Sequence, residues 1–466
     1  MILVAGPLLV LWVAGLALAA LDGRRRSVGV LAIAAVAVAF GLQAVLLGRV
    51  LADGPQELVA GGWAADVGIR LRVDALGAVF AALSSGIVVA ALLQAVATGV
   101  RSRSLPALVV FLTLGLSGLF ATGDVFSFYV FFELAMIAAY ALTAASGTAR
   151  EVGAAFLFAI VNLVGSFLFL IGIALLYRAT GTLEMVAVAE AAGRLEATTA
   201  ILIAISFFVA FGTKLGLFPF HFWLPTLYAT ASPPVAAIFA GALANIGAYG
   251  LLRFGGAILP NELALSATAL IVIGSVSIAY GAIQAIGRRD TREVLAYSSI
   301  GHVGYILVAL GLGEPVGLAA AVAFSVANAL NKALLFLSSE LRGRLTAAIF
   351  LVGVLSVAGV PPTAGFFGKA ALFDAGVRAE SWWTVALLFV GGALSFVYVF
   401  QIYQHDRWRP REQRERATPL GSAGVGQRLA AGLVALVVLV LGLWPQPLLA
   451  AGRDAAEAIV VARGDG

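Results

Sequence analysis

The chain has no cysteine. That excludes disulfides, thiolate-held iron–sulfur clusters and thiol redox chemistry. Three histidines leave no basis for a haem or a multi-histidine metal centre, and no Gly-rich phosphate loop is present. No cofactor and no metal are expected. Charge is scarce as well: 11% of the 466 residues are Asp, Glu, Lys or Arg, against roughly 25% in a soluble domain. So few charges cannot cover a water-facing surface of this length. With 62% hydrophobic residues, the chain is built to be solvated by lipid. The net charge of +5 lies in connecting loops and is read as topology information, with no nucleic acid expected as a partner.

Apolar runs long enough to cross a bilayer recur throughout. They predict fourteen spans, at 2–21, 28–48, 75–99, 105–122, 125–146, 152–177, 199–220, 233–258, 263–286, 293–312, 315–340, 345–375, 383–404 and 429–450. The connections 49–74 and 178–198 are long enough to hold structure, and 405–427 is dense in Arg. The first span has no basic segment before it, and Arg24, Arg25 and Arg26 follow it. This predicts a retained first helix that starts outside. On that count 17 of the 26 Arg fall in inner loops, which supports an even number of spans with both ends outside a bacterial plasma membrane.

Lysine is the most informative residue. The chain has only Lys214, Lys332 and Lys369, and all three lie in predicted spans, whereas the loop cations are Arg. Arginine stays charged at any accessible pH, but a desolvated lysine can give up its proton. A chain that uses Arg for permanent charge and keeps Lys inside is arranged for protonation and deprotonation. Glu133, in FSFYVFFELAMIAAYAL, is the matching anion. A carboxylate at that depth costs several kcal/mol unless paired or protonated, and Lys214 is its natural partner. Asp124, at the start of the same helix, reads as a cap.

Two spans are interrupted. Lys214 sits in AFGTKLGLFPFHFWLP, broken by Gly212, Gly216 and Pro219, with His221 seven residues on. A proline removes a backbone donor, and freed carbonyls at membrane depth must face protein or water, which predicts a hydrated cavity around Lys214. Span 12 repeats the theme in VAGVPPTAGFFGKAALF, with Lys369 after Pro361, Pro362, Gly365 and Gly368. Two interrupted segments, each with a lysine, predict inverted five-helix repeats, spans 4–8 and 9–13. The predicted units are 1–104, 105–258, 259–404 and a C-terminal 405–466. Span 10 adds His302 in LAYSSIGHVGYI. Span 11 adds Asn328, Asn331 and Lys332, of which Asn328 and Lys332 share a helix face.

The segments HFWLPTLYATASPPVAAIFAGALANIGAYGLLRF, LAYSSIGHVGYI, NKALLFL and VAGVPPTAGFFGK together resemble the antiporter-like subunits shared by respiratory complex I and Mrp-type cation/proton antiporters. Within that family, HFWLP, ASPPVAAIFAG and GFFGKAALFDAG look most like the Mrp D-type subunits. The resemblance implies a subunit of a hetero-oligomeric complex that moves H+, exchanged for a monovalent cation such as Na+. Glu133 would be the span-5 glutamate and Lys214 its span-7 partner, with Lys332, Lys369 and His302 further along. Asn245 stands where the family usually has a lysine, and Asn328 where a histidine is common. Both can hold water but neither titrates.

The expected whole is an all-α integral membrane protein. A proton would follow a central hydrophilic axis through Glu133, Lys214, the Asn245 region, Lys332 and Lys369. The alternatives are a proton-pumping subunit of complex I, part of a hydrogenase-type or bicarbonate-uptake complex, and a non-transporting scaffold.

Overall fold

The computed structural model describes residues 2–59, 70–313, 315–408 and 423–463, nearly all of them helical. Helices α1 (Ile2–Ala20) and α2 (Arg26–Asp53) lead into an antiparallel hairpin, β1 (Gln56–Val59) and β2 (Arg70–Val73). Then come α3 (Ala75–Thr98), α4 (Leu105–Ala121), α5 (Val125–Thr143) and α6 (Ala149–Thr180). The short α7 (Met185–Ala192) precedes α8 (Ala197–Leu215) and α9 (Trp223–Thr230). Helix α10 (Pro233–Ile258) contains two π-helical stretches, Phe239–Leu243 and Leu251–Ile258. The six-residue α11 (Pro260–Leu265) is followed by α12 (Ala267–Ile286), α13 (Thr291–Gly311) and α14 (Val316–Ser339). The chain ends with α15 (Arg344–Ala358), α16 (Ala364–Arg378), α17 (Trp382–Tyr403), α18 (Val425–Leu443) and α19 (Gln446–Val461).

Among the described residues, twelve helices are long and apolar enough to cross a membrane; α4 and α15 are shorter apolar helices of 17 and 15 residues. The predicted spans overlap these helices, and 345–375 runs across the break between α15 and α16. The expectation of a helical chain holds except in the connection after α2, which is long enough for structure of its own and forms the hairpin. In β2, Arg70 and Arg72 alternate with the buried Leu71 and Val73, and Arg72 pairs across the hairpin with Glu57 at 3.3 Å. The predicted span 429–450 also ends early, because Pro445 starts the separate helix α19. The expected basic loop is only partly visible: Arg409, Arg411, Arg414 and Arg416 lie outside the described residues.

Helices α10, α13 and α14 form the centre, with 94% of their most apolar stretches buried, against 28% for α1 and α2 at the edge. Close approach depends on glycine. On α12, a Cβ at Gly281 would meet Gly301 N at 2.4 Å, and one at Gly274 would meet Gly304 O at 2.7 Å. Helix α13 therefore lies backbone to backbone with α12, the small-residue packing that lipid-embedded helices favour. On α4, a Cβ at Gly115 would meet Ala135 N at 2.5 Å. That contact sets α5, the helix that carries Glu133, directly against α4.

Candidate functional site

Five carboxylates do a local job at helix starts. Asp74, Asp124, Glu184, Glu196 and Asp290 each accept backbone N–H groups at a helix start. At Glu196 the N–H groups of Thr198 and Thr199 hold the carboxyl down to about 2. Glu133 has no such task. It lies in mid-helix on α5, with its Oε1 buried and without a hydrogen-bond partner.

The structure does not join Glu133 to Lys214 as expected. Lys214 feels the Glu133 charge, but no ion pair forms between them. The Lys214 ammonium turns to α6 instead, donating to the Asn162 carbonyl at 2.9 Å and to Ser166 Oγ at 3.1 Å. It also lies 4.4 Å from the centre of the Phe132 ring. The Asn162 carbonyl is shared: Ser166 Oγ also donates to it at 3.1 Å, while the Asn162 side-chain amide donates to Phe158 O. Sequence reasoning missed this cradle, since a backbone carbonyl leaves no mark in a sequence.

The break after Lys214 explains its position. Gly216 takes the left-handed conformation (φ 68°) and caps α8 through Gly212 O and Thr213 O. The freed Thr213 carbonyl accepts from the Trp223 indole at 3.1 Å. The carbonyls thus face protein, and the expected hydrated cavity shrinks to one of about 10 Å³ lined by Asn162, Lys214, Tyr228 and Ala244 among others. That is room for about one water. His221 is not on a continued helix. It lies in the linker, half-buried, with Nε2 2.8 Å from the Tyr280 hydroxyl, away from Lys214's partners.

The second break has the same backbone and a different donor. Gly359 is left-handed (φ 82°) and caps α15. Here the freed Val357 and Ala358 carbonyls accept from the Lys369 ammonium, at 2.8 and 3.2 Å. Lys369 does for this break what Trp223 does for the first. Aligned on the two glycines, Lys214 corresponds to Val357, so the two lysines do not occupy equivalent places.

In the second half, α14 presents Lys332 and Asn328 to α13. Lys332 Nζ donates to Ser298 Oγ at 2.6 Å and Leu295 O at 3.4 Å. His302 Nδ1 lies 2.6 Å from Asn328 Oδ1. Tyr398 of α17, which no sequence pattern marks, places its hydroxyl 2.9 Å from Ser298 Oγ and 3.4 Å from His302 Nε2. Asn331 Oδ1 is buried without a partner. Asn245, on α10, donates to Ser84 Oγ of α3 at 3.3 Å and to Gly241 O at 2.9 Å. It touches neither lysine network, although a Cβ at Gly241 would sit 2.9 Å from Ala329 O on α14.

A second missed feature is a buried ion pair, Arg253 with Asp74 at 2.7 Å. Arg253 lies within the predicted span 233–258; it is buried in the π-helical end of α10 and also donates to the Tyr249 hydroxyl. Burial alone would raise the Asp74 carboxyl; Arg253 and the Gly77 N–H outweigh it and hold it below the ordinary range.

The model of the family described as NADH:quinone oxidoreductase/Mrp antiporter, transmembrane, matches residues 122–342 and 340–395. The D-type subunit of the Na(+)/H(+) antiporter of Alkalihalophilus pseudofirmus is 30% identical over 432 residues, covering 88% of this chain and 87% of its own. The N-type subunit of the NADH-quinone oxidoreductase of Desulforudis audaxviator is 33% identical over 445 residues, with 89% and 88% covered. Among solved structures, a chain of the Mrp complex from Dietzia sp. DQ12-45-1b superposes with a TM-score of 0.89 at 25% identity, each chain covered in full. A chain of respiratory complex I from Thermus thermophilus gives 0.84 at 25%, covering 99% of this chain and 100% of its own. A bundle of broken apolar helices with three buried lysines, matched along most of its length on both counts, places the chain in the NADH:quinone oxidoreductase/Mrp antiporter transmembrane family.

Proposed function

We propose that the chain is the D-type component of a multisubunit Na+/H+ antiporter and that it carries the proton. The observation that supports this best is the placement of three buried ammonium groups, and a half-buried carboxylate without a hydrogen-bond partner, within an apolar bundle. Ionisable groups at that depth serve transport by default.

In this reading, Lys214 has two positions. On α6 it is held by Asn162 and Ser166; on α5 it would pair with Glu133. A proton or cation arriving at Glu133 weakens the second position, and the charge of Lys214 is released toward Asn245 and the second half. One charge crossing the membrane exchanges about 2.3 kcal/mol per 100 mV, so a hydrogen bond or two suffices to gate it. Atoms such as Asn162 Oδ1 and Asn331 Oδ1, buried without a protein partner, are where water would complete the path. Fourteen spans, both termini outside the plasma membrane, and inverted repeats over 105–258 and 259–404 belong to the same reading. The matching Gly216 and Gly359 caps support the repeats.

Glu133→Ala and Lys214→Ala should each abolish antiport by the assembled complex in inverted membrane vesicles. Full activity in both would remove the mechanism. The second reading, a pumping component of complex I, draws on the similarity to the N-type quinone oxidoreductase chain. Purification from the native membrane separates the two: small hydrophobic antiporter subunits should accompany this chain, and quinone-reductase subunits would favour the rival.

A further inference from the structure

Resting on the reading that Lys332 carries the transported proton, we propose that Ser298 and Tyr398 are relay residues that pass it from Lys332 to His302. Four side chains from three helices form a continuous row. Lys332 Nζ lies 2.6 Å from Ser298 Oγ, Ser298 Oγ 2.9 Å from the Tyr398 hydroxyl, and that hydroxyl 3.4 Å from His302 Nε2. All four residues are buried, so bulk water does not replace any member.

The polarity of the row is fixed at both ends. An ammonium only donates, so Ser298 Oγ accepts from Lys332 and its own proton is free to point at Tyr398. At the other end, the Asn328 amide oxygen only accepts, so His302 Nδ1 carries the hydrogen of that 2.6 Å contact. Nε2 is then left with its lone pair toward Tyr398. One concerted shift moves the Lys332 proton to Ser298, the Ser298 proton to Tyr398 and the Tyr398 proton to Nε2. Lysine ends neutral and the histidine cationic; no other bond changes. The Asn328 contact survives because Nδ1–H is present in both states.

Tyr398 is also a branch point. Its hydroxyl donates to Ser395 Oγ at 3.2 Å, and Ser395 in turn donates to Gly391 O. Rotation of one O–H between Ser395 and His302 therefore opens or closes the row without moving a helix. Lys369, whose partners are carbonyls, stands outside it.

The test uses the whole complex in inverted vesicles, with Tyr398→Phe, Ser298→Ala and the hydroxyl-retaining Ser298→Thr, and Lys332→Ala as control. The relay requires Tyr398→Phe and Ser298→Ala to fall to a tenth of the unaltered antiport rate or below, with Ser298→Thr within threefold of it. It also requires the ratio of rates in H2O and D2O to rise at least twofold in Tyr398→Phe, which a packing defect would not cause. Tyr398→Phe above that tenth, or slow with an unchanged isotope ratio, would overturn the relay while an inactive Lys332→Ala leaves the transport reading standing. An active Lys332→Ala would overturn both.

Discussion

Ser166→Ala is the sharpest probe of how Lys214 is held. The ammonium has two acceptors on α6, the Asn162 carbonyl and the Ser166 hydroxyl, and an unpaired carboxylate oxygen nearby on Glu133. Removing the hydroxyl deletes one hydrogen bond to a charged donor, worth about 1.5–3 kcal/mol, and leaves the other in place. The balance between the α6 position and the Glu133 position then moves toward Glu133 by roughly ten- to a hundredfold. If Lys214 must leave Glu133 to pass its charge on, antiport should slow by at least tenfold, with the complex still assembled. Vesicle antiport rates for Ser166→Ala, Glu133→Gln and the double variant form a cycle. The two changes must couple, because weakening the carboxylate offsets the lost hydroxyl. Unaltered transport in Ser166→Ala, or a loss that simply adds to that of Glu133→Gln, would refute the two-position argument.

Two further outcomes follow from the packing. Asp74→Ala leaves Arg253 buried and unpaired, which should cost about 3–5 kcal/mol and be read as loss of folded protein in membranes. In the unaltered chain Asp74 is held below the ordinary carboxyl range. Its contribution is therefore full above about pH 4 and is lost as pH falls through its lower native value, which thermal unfolding of solubilised protein at decreasing pH would register. Gly281→Val places side-chain atoms where a Cβ already meets Gly301 N at 2.4 Å; separating α12 from α13 should cost about 1–3 kcal/mol or more, seen as a lower unfolding temperature.

The spans were legible because lipid solvation leaves a strong mark: long apolar runs and charges confined to their ends. Glu133 and the three lysines were legible as exceptions to that mark, and the breaks as Gly and Pro clusters. What failed to show had no local signature. Lys214 binds a backbone carbonyl 52 residues away. Asp74 and Arg253 are 179 residues apart, and nothing near either residue in the sequence marks the other as its partner. Ser298 lies inside the motif LAYSSIGHVGYI with nothing local to single it out, and Tyr398 in FVYVFQIY is one more aromatic on an apolar helix. The two lysines of the broken spans looked equivalent because the eye aligns unusual residues. The backbone aligns on its left-handed glycines, and on that register Lys369 binds the carbonyls of Val357 and Ala358, one and two positions past the match of Thr213, whose carbonyl Trp223 takes in the first half.

That difference bears on how charge moves between the halves. In the first half, Lys214 has a carboxylate within electrostatic reach, so an added proton can be balanced there. In the second half, the hydrogen-bond partners of Lys332 and Lys369 are neutral: hydroxyls and carbonyls. The two ammonium groups act on each other through space, and no ion pair with a carboxylate offsets them among the described residues. In the proposed mechanism, a charge driven from Lys214 toward Asn245 would meet repulsion that eases once one of those lysines has passed its own proton on, so occupancy of the second half would control the release of Lys214 by Coulomb repulsion across a neutral Asn245.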